Sequence, residues 1–461
     1  MKKIRRIALF ILISSIILTP VQSMAFTIPN EIKQKADELQ LDAEAAILIN
    51  ADTGDILYEK NINQKEYPAS ITKLMTMLLA FENCDMDETI TFSKEAVFSI
   101  EPGSSHIGID QGEEITVDQA MYAIMLQSAN EVSNGVAEHI DGSLEAFAQH
   151  MTQRAKELGA LNTNFVNANG LHDENHYTTA YDMALIAREL LKYPHFKDVL
   201  SCTYYEIPPT NIQSETRYLH GQTQLIKEPS AFYYEYCEGG KTGFTDQAGN
   251  TLVAYAKKDG TEIISVVLKS TGYGEYTDTI KLFDYGFENF KTQNLCTQGS
   301  LCQNTTAIEE GLFKDETFNV TGNYASDVTV TLPLNCSLSD IETNVDLPEN
   351  IPVPLSKGDV IGSVSFALNG EEIGKTDIVS ADDVGENAAA AMATAQTKKP
   401  IDIKLIAAAL ICLVVVLIIL RFALVKLRYE HNRKKRRQRL KYYRDTNFKN
   451  LELSSKNRKY R

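Results

Sequence analysis

Residues 67–76 read YPASITKLMT, with a serine two positions after a proline and a lysine three positions after that serine. The continuation LMTMLLAFE is apolar enough for a buried helix. Pro68 and Ala69 then fall in its first turn, where a proline loses nothing by lacking an N–H. Ser70 sits at the helix N-terminus and Lys73 one turn later on the same face, because positions i and i+3 are neighbours on a helix. A hydroxyl and an amine are thereby held side by side at the positive end of a helix dipole. That pairing can activate a nucleophile, but a lone Ser-x-x-Lys arises by chance and needs support from the rest of the chain.

The flanking sequence supplies a scaffold. AAILINADTGDILYEKN, from Ala45, reads as a β-hairpin immediately ahead of the Ser70 helix. Helical patterns follow in TVDQAMYAIML (from Thr116), LEAFAQHMTQRAKELG (from Leu144) and TTAYDMALIARELLKY (from Thr178), with threonines as capping candidates. After Gly240 the period changes, and NTLVAYAKKDGTEIISVVLKS reads as two strands around Lys-Asp-Gly. TDTIKLFDYGFENF, from Thr277, closes the unit as a helix. Strands, helices, then strands and a helix make one α+β domain. From Asn294 the helical pattern stops, and short runs such as DVTVTL and VIGSVSFAL between Gly, Pro and Asn turns predict a small all-β domain.

The two ends of the chain have a different chemistry. Four basic residues, an apolar run from Ile7 to Leu18 and Ser23-Met24-Ala25 form a secretory signal peptide, with cleavage expected after Ala25. LIAAALICLVVVLIILRFALV, from Leu405, covers ~30 Å as a helix, one hydrocarbon core. The basic run KLRYEHNRKKRRQRLKYYR behind it is the positive-inside pattern rather than a nucleic-acid arm. The expected division is 1–25 signal peptide, 26–293 catalytic domain, 294–383 β-rich domain, 384–403 linker, 404–427 transmembrane helix and 428–461 cytoplasmic tail. This places the chain in the cell membrane as a single-pass protein with its catalytic domain outside.

Fifteen basic and three acidic residues follow Val425 and four basic residues precede Ile7, so the formal charge of −16 leaves about −32 on the remainder. Such an acidic exterior argues against nucleic acid as a partner. Outside the expected span lie six cysteines, an even number that permits disulfides, and Cys296 and Cys302 are close enough in sequence to pair.

Two further triplets complete the pattern. Ser128-Ala129-Asn130 lies at the junction of two helical stretches, and Lys241-Thr242-Gly243 opens an alternating strand. SITK, SAN and KTG, in this order and setting, are similar to the three motifs of the penicillin-recognising serine enzymes. "YPASITKLMT", "NANGLHDENHYTTAYDMALIA" and "GGKTGFTDQAGNTLVAYA" resemble the low-molecular-mass penicillin-binding D-alanyl-D-alanine carboxypeptidases. The likeness spans roughly residues 30 to 385, through KGDVIGSVSFALNGEEIGKTDIV. It implies an α+β penicillin-binding fold, a β-sandwich-like second domain, peptidoglycan stem peptides as substrate, β-lactams as covalent inhibitors, and no cofactor or metal.

The resemblance and the chemistry together assign roles. Ser70 is the expected nucleophile, Lys73 its general base and Ser128 a proton relay. Asn130 fixes Lys73 and the substrate amide, while Lys241, Thr242 and Gly243 receive the substrate end. The resemblance also implies an oxyanion hole from the backbone N–H groups of Ser70 and Phe244. A D,D-endopeptidase, a β-lactamase and a β-lactam receptor remain alternatives on the same scaffold. His172 and His176, in HDENH, have a spacing suggestive of a metal, but they lie in an Asn/Gly-rich loop where hydrogen bonding is the better reading. YLHGQTQLIKEPSAFYYEYCEGG, ahead of KTG, lacks the Asn-x-Asn-x-Leu of many relatives. The expected span replaces the amphipathic helix with which many of them end.

Overall fold

The computed structural model describes residues 28–309, 316–349 and 351–385. The expected signal peptide, nearly all of the linker, the span and the basic tail lie outside the described residues. Among the described residues no helix is long and apolar enough to cross a membrane.

After α1 (Asn30–Glu38), the hairpin of β1 (Ala45–Asn50) and β2 (Ile56–Lys60) forms around the Asp-Thr-Gly turn as the sequence predicts. A 3-10 turn, Ala69–Thr72, then runs into α2 (Lys73–Asn83). Ser70 is therefore in the tighter turn ahead of the α-helix rather than in its first α-turn. β3 (Thr89–Thr91), α3 (Lys94–Phe98) and β4 (Glu114–Thr116) lead to α4 (Val117–Gln127). There Thr116 accepts from Gln119 N and the Gln119 side chain accepts from Thr116 N, a complete capping box. α5 (Asn130–Asp141) and α6 (Leu144–Glu157) follow, then α7 (Ala180–Leu190), capped by Thr179, and α8 (Pro194–Ser201).

The hairpin β5 (Tyr204–Ile207) and β6 (Arg217–His220) precedes three long strands, β7 (Cys237–Thr245), β8 (Gly249–Lys258) and β9 (Thr261–Ser270). Asp259 and Gly260 both have positive φ, 50° and 83°, as the tight turn between β8 and β9 requires. α9 (Gly274–Asn289) closes the layer.

The central sheet has the order β2-β1-β9-β8-β7 and is antiparallel throughout. Helices cover both faces, so its middle strands are apolar on both sides. Ile47, Val253, Tyr255 and Val266 pack with α2, α4 and α7. Ala46, Leu48, Leu252 and Val267 pack with α9 and α1. This double burial explains why β1 and β9 read as continuous apolar runs. β7 lies at one end of the sheet order, and among the described residues its outer edge has no sheet partner.

β10 (Phe290–Cys296) crosses the boundary drawn at residue 293, and it pairs antiparallel with β13 (Val328–Pro333). Between them come β11 (Leu301–Glu309) and β12 (Glu316–Tyr324), and beyond them β14 (Ile341–Asp346), β15 (Ile351–Pro352), β16 (Val360–Leu368) and β17 (Glu371–Ser380). These six form a sheet in the order β14-β16-β17-β12-β11-β15. The Asn50 amide donates to Thr292 Oγ1 at 2.8 Å, and Thr53 and Thr331 share a hydroxyl bond of 2.8 Å. Val353–Ser356 and Asp383–Gly385 belong to a separate small unit, within which Leu355 pairs with Val384. The six described cysteines are free thiols, so the Cys296–Cys302 bridge that their spacing permits is not formed.

Candidate active site

Three elements bring the three triplets together. The 3-10 turn carries Ser70, and Lys73 begins α2 with its side chain wholly buried. Lys73 Nζ lies 3.0 Å from Ser70 Oγ, 2.7 Å from Asn130 Oδ1 and 2.5 Å from the carbonyl oxygen of Asn169. Burial, and secondarily the nearby Lys241, pushes the Lys73 amine well below its ordinary value. A neutral amine has two N–H donors and one lone pair. Once the amine is neutral, the Asn130 and Asn169 acceptors engage its two N–H groups and leave the lone pair for the Ser70 hydroxyl. This is the arrangement a general base requires.

Ser128 ends α4 in the left-handed region, at φ 55° and ψ 34°. Such a backbone is unusual for a residue with a β-carbon. It puts the hydroxyl into the junction between α4 and α5, where Lys241 Nζ donates to Ser128 Oγ at 3.0 Å. Lys241 is also buried, and burial moves it down to about 7. Its second bond goes to the carbonyl of Thr242 at 2.9 Å.

β7 lies directly on the nucleophile turn. A β-carbon at Gly243 would come within 2.7 Å of Ser70 N and 3.1 Å of Ile71 N. Only glycine lets the strand approach this closely. The Thr251 hydroxyl, on β8, donates to Pro68 O at 2.9 Å and ties the same turn to the sheet. Phe244 follows on β7 with an exposed side chain.

Several contributors were not singled out in the sequence. Asn169 acts through its backbone carbonyl, which carries no residue signature. Its side chain bridges Asn134 Oδ1, at 3.0 Å, and Leu171 N, at 2.9 Å. Glu131, next to Asn130, is buried and accepts from Ile107 N at 2.7 Å, and burial raises its carboxyl. It holds the 105–109 loop over the α4–α5 junction, where Asn130 N also donates to Ser105 O.

His176 has a structural role that its spacing did not reveal. Val166 N–H donates to Nδ1 at 3.1 Å, so Nε2 carries the proton and donates to Thr72 Oγ1 at 2.8 Å. The imidazole thus pins the turn that holds Ser70. His172 packs edge-on against Tyr67, and no metal-binding group of three His, Cys, Asp or Glu side chains occurs among the described residues.

Burial lowers His176 from 6.5 to about 3, which makes it a source of acid lability. Between those values the unfolded chain binds a proton that the folded chain does not. Stability from this group is complete above pH 6.5 and is lost as pH falls towards 3. Thermal unfolding followed over that window is expected to show a steep decline, shallower in His176→Gln. Equal slopes in the two proteins would remove His176 from the account.

Comparison with known proteins agrees with this geometry. Residues 31–272 match the family model described as D-alanyl-D-alanine carboxypeptidase, and residues 290–386 match the penicillin-binding protein 5 C-terminal domain. D-alanyl-D-alanine carboxypeptidase DacF of Bacillus subtilis is 32% identical over 357 residues, covering 76% of this chain and 88% of that protein. The crystal structure of penicillin-binding protein 5 from Haemophilus influenzae superposes with a TM-score of 0.63 at 27% identity, over 78% of this chain and all of that one. A peptidoglycan synthesis regulatory factor (PBP3) from Streptococcus pneumoniae gives 0.61 at 25% identity, over 75% of this chain and all of that one.

Proposed function

The chain belongs to the D-alanyl-D-alanine carboxypeptidase family of serine peptidases, and from this premise we propose how its own residues carry the reaction. It is a low-molecular-mass penicillin-binding protein that hydrolyses D-Ala-D-Ala ends of peptidoglycan peptides and binds β-lactams. Ser70 Oγ attacks the carbonyl carbon between the last two D-alanines, and its proton passes to Lys73 Nζ. The oxyanion is received by the backbone N–H groups of Ser70 and Phe244. Ser128, which also bonds Lys241, relays the proton from Lys73 to the departing amine as the C–N bond breaks, so that Lys73 is neutral again when D-alanine leaves. Lys241 and Thr242 hold the terminal carboxylate. Entry of that carboxylate restores the charge that burial weakens on Lys241. The free edge of β7 receives the peptide backbone as an added strand. Water then attacks the acyl-serine, with Lys73 again taking the proton.

The observation that carries this reading is the wholly buried amine of Lys73, 3.0 Å from Ser70 Oγ and held by Asn130 Oδ1 and the Asn169 carbonyl. Incubating the full chain with a soluble D-Ala-D-Ala-terminated pentapeptide should release free D-alanine repeatedly. Acylation without release would make it a β-lactam receptor instead. Fast penicillin hydrolysis without release would make it a β-lactamase.

The anchoring is part of the same proposal. The signal peptide is removed, Leu405 to Val425 span the membrane, and the basic tail stays in the cytoplasm. The length of that apolar run and the RKKRRQR cluster behind it support this orientation. A protease added to intact cells is expected to remove penicillin labelling and spare an epitope placed after Arg439. Loss of that epitope without lysis would reverse the topology.

A further inference from the structure

The β5–β6 hairpin has one face in the core and one face in solvent. On the inner face Ile207 and Leu219 are buried, and Tyr205 stacks on Tyr122 of α4 with centroids 3.9 Å apart. The register pairs Tyr204 with His220 and Glu206 with Tyr218. Alternate residues of a strand share a face, so these four side chains stand together on the outer one. Tyr204 and Tyr218 are 44% and 59% exposed, large values for rings on a paired strand. Their rings are nearly parallel, at 11° with centroids 6.4 Å apart, and His220 lies 5.2 Å from Tyr204. The Glu206 carboxylate accepts the Tyr204 hydroxyl at the rim of this surface.

The hairpin is tied to the reaction centre at two points. Gln127, the residue before Ser128, donates to His220 O at 2.8 Å. Thr223 donates to Gly240 O at 2.6 Å, immediately ahead of Lys241. The stretch before KTG that departs from the Asn-x-Asn-x-Leu of many relatives begins inside β6, with Tyr218-Leu219-His220. The strand that carries this face is thus joined to the elements that carry Ser128 and Lys241.

We propose that this outer face, Tyr204, Tyr218, His220 and Glu206, is a saccharide platform that holds a glycan strand of peptidoglycan while its stem peptide enters the cleft. Parallel tyrosine rings offer flat apolar faces to the C–H surfaces of pyranose rings, with their hydroxyls still wet. Glu206 offers an acceptor to sugar hydroxyl or acetamido N–H groups. The strongly acidic exterior makes a nucleic acid or an anionic lipid surface a poor fit, whereas a sugar face needs no positive charge. The assignment rests on the peptidase reading, because that activity brings a glycan to this edge.

The test uses the full chain and peptide-free glycan strands of alternating N-acetylglucosamine and N-acetylmuramic acid, with binding measured by calorimetry. The parent is expected to bind, and the double variant Tyr204→Ala/Tyr218→Ala to bind about tenfold or more weakly, the order expected for lost aromatic contacts. D-alanine release from a soluble pentapeptide should be unchanged in that variant, while release from intact sacculi should slow. Tyr204→Phe/Tyr218→Phe keeps the rings and should keep the binding. No glycan binding by the parent, equal binding by the alanine pair, or loss in the phenylalanine pair would each overturn the platform. A change of oligomeric state in the alanine pair in place of a change in glycan binding would assign the face to a second copy and overturn it as well. Failure of D-alanine release in the parent would instead sink the peptidase reading and leave the glycan measurement standing.

Discussion

Ser70→Ala is expected to abolish covalent labelling by fluorescent penicillin and D-alanine release together. Lys73→Ala is expected to slow acylation by roughly 10² to 10⁴, the usual cost of losing a general base. The asymmetry follows from the geometry. Ser70 is the hydroxyl bonded to Lys73 Nζ, whereas Ser128 receives its hydrogen bond from Lys241. Without Ser70 the base has no nucleophile to activate. Without Lys73 the hydroxyl remains in place, and a weak reaction persists from positioning and the oxyanion donors. Lys73→Met sharpens the test, because it keeps most of the side-chain volume and removes the amine. A lysine that is wholly buried costs stability through desolvation, and an apolar side chain there relieves that cost. Methionine also leaves the Asn130 and Asn169 acceptors without a donor, so the variant should stay folded, with an unfolding temperature near or modestly below the parent's, while acylating slowly. A merely structural lysine would give the opposite pair of results. Unchanged labelling in Ser70→Ala or in the lysine variants would refute the assignment.

What the sequence disclosed and what it hid divide along a physical line. Elements whose identity depends on local period were legible. The β1–β2 hairpin, the capped helices α4 and α7, the β8–β9 turn at Asp259-Gly260 and the β16 strand all formed where the pattern put them. The site triplets were legible for a related reason, since Ser70 and Lys73 are neighbours by spacing alone. The hidden contributors act through groups that carry no residue signature or through distant partners. Asn169 serves by its carbonyl, and His176 reaches a threonine 104 residues earlier in the chain. Glu131 carries no mark of its role in the sequence, yet it is 1% exposed and bonds a loop 24 residues away. The 3-10 turn at Ala69–Thr72 was read as α-helix because nothing in its composition forbids the α form. What distinguishes it is Ala69 at φ 50°, a backbone state that composition does not announce.

Gly170 packs against Ala69. Gly170 has φ +84°, and a β-carbon there would lie 1.9 Å from the carbonyl oxygen of Ala69 and 2.9 Å from Thr72 Oγ1. The nearer of these is backbone, so no side chain can swing aside to make room. Gly170→Ala must push the Ser70 turn and the 167–170 loop apart. That loop also supplies the Asn169 carbonyl bound to Lys73, so one methyl group disturbs nucleophile and base together. Misplacement of reacting groups by about 1 Å costs on the order of 10²-fold in rate, and both D-alanine release and penicillin acylation should fall by at least that. Strain from the positive φ alone must be separated from the clash. Gly103 provides the control, with φ +83° and nothing within 4 Å of its would-be β-carbon. Gly103→Ala bears only the backbone cost, roughly 1–2 kcal/mol, and should lose some thermal stability while acylating at nearly the parent rate. The contrast in acylation between two alanines at the same φ isolates the contact with Ala69. If Gly170→Ala acylates as fast as Gly103→Ala, the nucleophile turn is not held by that loop.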